Sequence, residues 1–69
     1  MNKVKISKNL AEAIEKLRKD GYSNLAIVGS IFKNDVNKDK RVIQLFCMEN
    51  YEINGDILLN TLINGYNVE

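Results

Sequence analysis

The chain has 69 residues, a formal net charge of +1, one cysteine, and no histidine, tryptophan or proline. A polypeptide this short makes at most one domain, residues 1–69, and buries only about 60% of the surface its unfolded form exposes. No internal disulfide and no Cys/His zinc set can form, so neither metal nor cofactor is expected, and without histidine the usual acid–base and nucleophile–base partners of an enzyme are missing.

The start, Met1 to Lys5, is not followed by the apolar core of a secretory signal, and no apolar run approaches the ~20 residues needed to cross a bilayer. A cytoplasmic protein without membrane contact is expected. Val4 to Ile6 reads as a short extended piece. Ser7 is a good N-cap, and Leu10, Ala13, Ile14 and Leu17 behind it recur at helical spacing, which predicts a helix over about residues 8–20. Glu12 with Lys16 and Glu15 with Lys19 are i,i+4 pairs in the favourable order, and Lys16, Arg18 and Lys19 suit the negative end of the helix dipole. Gly21 then supplies a left-handed residue, with Tyr22 placed to fold back on Leu17.

Ser23 caps a second predicted helix carrying Leu25, Val28 and Phe32 on one stripe and Ile27 and Ile31 beside it. A third carries Val42, Leu45 and Phe46 on one face, with Ile43 and Cys47 alongside. Gly29 and the β-branched residues weaken the second helix, so the alternative is a central hairpin, Ile27 to Phe32 against Val42 to Met48, turning at residues 34–40. Asn54 or Asp56 is expected to cap a last helix through Leu58, Leu59, Leu62 and Ile63, ending at Gly65. Tyr66 to Val68 is a second extended piece able to pair with the first. The fold class is therefore mainly α, a small bundle of three to four short helices with short extended termini; the alternative is α+β with a central hairpin between two helices.

Asp35, Asn37 and Asp39 open like a calcium loop, but Lys40 stands where the tight turn needs Gly and Phe46 where a bidentate Glu is needed, so a polar turn is expected. Cys47, between Phe46 and Met48, reads as a small buried hydrophobe. Lys33, Lys38, Lys40 and Arg41 surround the central turn and are the candidate phosphate contacts of a nucleic-acid-binding regulator, the alternative function, although Asp35 and Asp39 dilute them. Charge is split along the chain: residues 1–21 are mostly cationic, and from Val42 onward every charge is acidic. With 45% apolar residues in so small a chain, surplus apolar surface is expected. Phe32, Leu45, Phe46, Met48 and Tyr51 are the candidate interface, most simply of a homodimer or with a protein partner.

At the two ends Lys5 to Lys8, Tyr22 to Asn24, and Gly65, Tyr66, Val68 and Glu69 form a pattern that resembles small proteins encoded by phages and prophages of Firmicutes; about half the chain is covered, and Asn67 departs from the Glu usual there. Most of these positions are caps or core, so the resemblance implies a shared fold more than a shared site. Their size class includes inhibitors of bacterial defence, among them the compact, homodimeric Hachiman anti-defence proteins. What the resemblance implies is a non-enzymatic accessory protein that binds and inhibits a host protein.

Overall fold

Ser7 stays extended while its Oγ accepts from the Leu10 amide at 3.2 Å, which starts α1, Lys8–Lys19, at the predicted place. At the other end the amides of Gly21 and Tyr22 donate to the carbonyls of Arg18 and Leu17, each at 3.0 Å. With Gly21 at φ +95° this is the paired-bond Schellman ending the sequence predicts. The computed structural model describes residues 3–32 and 37–69.

Ser23 caps α2, Asn24–Gly29, which tightens into a 3₁₀ turn, Ser30–Phe32. Asn37 caps α3, Lys38–Glu49, its Oδ1 accepting from the amides of Asp39 and Lys40. Both arms of the alternative hairpin are thus helical. The last helix, α4, spans Tyr51–Asn64 and is capped by Asn50, not by Asn54 or Asp56 as expected. The Asn50 Oδ1 takes the Ile53 amide at 3.2 Å, while Asn54 is already inside the helix and donates to the Phe46 carbonyl at 2.8 Å. Asn54 therefore ties the start of α4 to the end of α3.

Strand β1, Val4–Ile6, and β2, Tyr66–Val68, pair in parallel, Val4 with Tyr66, Lys5 with Asn67 and Ile6 with Val68. Helices α1 to α4 lie in the crossover between them, as parallel pairing requires a long connection. The phenol of Tyr66 donates to Glu15 on α1 at 3.2 Å. Burial chiefly, and then the Glu15 charge and that hydrogen bond, raise the Tyr66 pKa, with Arg18 opposing.

The core is one cluster: Ile6, Leu10, Ala11, Ala13, Ile14 and Leu17 from the first third, Ile27 and Ile31 from α2 and the 3₁₀ turn, Ile43 and Cys47 from α3, Leu58 and Leu62 from α4. Helix α3 sits centrally, packing on α1, the 3₁₀ turn and α4. The stripes expected on α2 and α3 are displaced by a position or two. Leu25 and Phe32 point outward while Ile27 and Ile31 are buried, and Leu45 is outside while Ile43 and Cys47 are inside.

Polar groups caught in this core are answered. Ser30 Oγ donates to the Ile27 carbonyl, Thr61 Oγ1 to that of Ile57, and Gln44 Nε2 to that of Ile31. Among the described residues no buried side-chain polar atom lacks a partner. The C-terminal end of α4 carries no cation of its own. Arg18 reaches across from α1 instead, donating to the Leu62 carbonyl at 2.9 Å and to Asn24 Oδ1 at 3.0 Å, so a positive charge meets the negative helix end.

Candidate interaction surfaces

The five residues expected at an interface divide between two faces. Phe32, 79% exposed, and Tyr51 line a groove of about 260 Å³ between the 3₁₀ turn and α4. Val28, Ile31, Leu58 and Leu59 contribute to its walls. Cys47 also lines it, and Glu52 and Asp56, one helical turn apart on α4, are the acids beside it. Leu45 and the half-buried Phe46 line a second depression of about 210 Å³, with Leu10, Val42 and Glu49. No residue is common to the two, and Met48 is exposed without lining either.

Pockets that engulf a drug-sized ligand hold about 300–1,000 Å³. Both depressions fall short of that, and both are open. Their size suits apolar side chains projecting from another surface, not an enclosed cofactor. Among the described residues, five outward apolar side chains escaped sequence reasoning, Leu25, Ile53, Leu59, Ile63 and Val68, with Leu25 at 81% and Ile63 at 72% exposure the most open. The apolar excess of the composition signals that some such residues must exist, but it does not say which.

The basic group is less convergent than its sequence spacing suggests. Lys33 lies outside the described residues. Lys38 and Arg41 are exposed on α3, but Lys40 is half-buried with its Nζ 4.6 Å from the Tyr22 ring centroid, a cation–π contact. Of the residues read as a broken calcium loop, Asn37 is the α3 cap and Asp39 lies in its first turn. Asp35 lies outside the described residues.

Among the described residues no three His, Cys, Asp or Glu side chains come together to hold a metal ion. Burial pushes the Cys47 thiol above its ordinary pKa, which works against the thiolate a nucleophile needs. Among the described residues no helix is long and apolar enough to cross a membrane.

No family model, curated protein or solved structure matches the chain. The two faces have to be interpreted from their own chemistry. One is an apolar groove flanked by acids. The other is a helix face with cations at one end, apolar side chains in the middle and an acid at the far end: Lys38 and Arg41, then Leu45 and Met48, then Glu49.

Proposed function

We propose that this chain is a non-enzymatic phage or prophage accessory protein that dimerises and acts in the bacterial cytoplasm, binding and inhibiting a host protein that belongs to an anti-phage defence system. The observation that carries the contact-based part is the set of large apolar side chains held outside the core, Leu25, Phe32, Tyr51, Leu59 and Ile63, of which Phe32, Tyr51 and Leu59 line the α4 groove. Apolar surface rimmed by polar groups commonly marks a protein interface. The phage origin and the defence target rest on the resemblance at the two ends of the chain.

The groove also narrows what the host partner presents. Glu52 and Asp56 stand beside it, and from Val42 to Glu69 the chain has no cation to balance them. A partner segment with apolar anchors flanked by Lys or Arg fits this surface, whereas phosphate groups are repelled. That repulsion, with Lys40 engaged on Tyr22, supports the protein-partner reading over the nucleic-acid alternative.

Co-expression with a panel of defence systems tests the proposal. The wild-type chain is expected to restore phage plating on at least one of them, and Phe32→Asp, a change at an exposed position, to lose that effect while the protein stays folded. Unchanged plating on every system would count against inhibition.

A further inference from the structure

The outward face of α3 has the pattern of a self-complementary surface. Lys38, Arg41, Leu45, Met48 and Glu49 are all exposed. At 3.6 residues per turn they fall within one arc of about 100°. Leu45 is its centre, with Arg41 four residues before it and Glu49 four residues after it, each about 6 Å along the axis. A two-fold axis lying between the copies, level with Leu45 and perpendicular to the helix, reverses the axial offset of every side chain and keeps the lateral one. Arg41 therefore lies level with the partner's Glu49, and Glu49 with the partner's Arg41, across a lateral step of about 3 Å at the Cα atoms that these long side chains span, with the two Leu45 side chains meeting between them.

With the dimer proposed above as premise, we infer that its interface is this face, two α3 helices packed antiparallel on a second copy of the chain. Charge complementarity singles out the occupant. An isologous contact matches a surface to itself, and the α3 face carries both signs in the order such a contact needs. The acidic α4 groove does not: a two-fold there gathers Glu52 and Asp56 of both copies with no cation between residues 42 and 69. Val42 and Phe46, half-buried beside Leu45, extend the apolar contact. A helix of 12 residues is only about 18 Å long. One pair of them lies at or below the ~1,200 Å² lower end of standard interfaces, so a dimer of about micromolar affinity is expected.

Charge reversal with rescue tests this, read by light scattering on a sizing column at several loading concentrations. Arg41→Glu and Glu49→Arg each set like charges against one another twice per dimer, and each is expected to weaken dimerisation about tenfold or more. The double variant Arg41→Glu/Glu49→Arg recreates the pairs with signs exchanged and is expected to dimerise again. Recovery also shows that the single variants had not merely misfolded. A dimer indifferent to the single reversals overturns this interface and leaves the dimer standing, whereas a wild-type monomer overturns both. A double variant that stays monomeric overturns the interface. So does a wild-type shift of duplex DNA that Arg41→Glu abolishes and the double variant fails to recover, because the stripe would then be a phosphate contact.

Discussion

Leu17→Ala is expected to destabilise the fold by about 2–5 kcal/mol, the range for truncating a buried leucine. Leu17 is completely buried on α1, in the cluster that joins α1 to α3, and the third carbonyl from the end of that helix, its own, already receives the Tyr22 amide. The substitution leaves that backbone bond in place, so the loss isolates the side chain. Domains have about 0.05–0.15 kcal/mol of stability per residue, which for a chain of 69 residues is about 3–10 kcal/mol. One methyl-rich side chain is thus a large share of the total. Leu25→Ala is the matched comparison: at 81% exposure it should stay within about 0.5 kcal/mol. Thermal melts followed by far-UV circular dichroism, at one protein concentration because dimerisation adds stability by mass action, distinguish the two. Equal losses would mean that the assignment of Leu17 to the core and Leu25 to the surface is wrong.

Gly65→Ala is expected to cost about 1–3 kcal/mol, for a reason unconnected with space. Gly65 has φ +85° and ψ −179°, a region that is essentially glycine-only. An added Cβ would meet the Lys3 side chain at 3.6 Å, an ordinary contact. The backbone itself resists the change, and this residue turns the chain from the end of α4 into β2, where it pairs with β1. For a domain of this size each 1 kcal/mol moves the melting temperature by about 4–8 °C. Gly55→Ala supplies the opposite sign, since Gly55 lies within α4 and an added Cβ meets nothing within 4 Å. Alanine there should stabilise by about 0.5–1 kcal/mol. A Gly65→Ala melt at or above wild type would contradict the role given to this turn.

The parts legible in the sequence are those where one residue type had one local job. Ser7 and Ser23 as caps and Gly21 and Gly65 as helix endings follow from local backbone needs, and the pairing of Val4–Ile6 with Tyr66–Val68 from their being the two extended pieces left outside the helices. The start of α4 was not legible because Asn50, Asn54 and Asp56 are all good caps, and only tertiary context, Asn54 reaching the Phe46 carbonyl, decides among them. The core faces of α2 and α3 were misplaced for a different reason. Asn24–Gly29 is 6 residues long and mostly apolar, so periodicity offers several equivalent stripes, and packing of α2 against α4 and of the 3₁₀ turn against α3 selects Ile27 and Ile31. On α3 the adjacent pairs Val42 and Ile43, and Phe46 and Cys47, make the same ambiguity.

The candidate surfaces inherit that ambiguity. Phe32, Leu45, Met48 and Tyr51 are outside, as an interface requires, yet Phe32 and Tyr51 belong to one face and Leu45 and Met48 to another. Exposure could be anticipated from the apolar surplus, while grouping depends on the order in which the helices pack. The same holds for the cations: sequence spacing gathers Lys38, Lys40 and Arg41, and the fold turns Lys40 toward Tyr22.

That the chain works by contact, beginning with contact to itself, is tested most directly by sedimentation equilibrium of the purified wild-type protein over a wide concentration range. A reversible rise from the chain mass of 7.9 kDa toward twice that value is predicted. A mass that stays at that of the single chain at every concentration would contradict it.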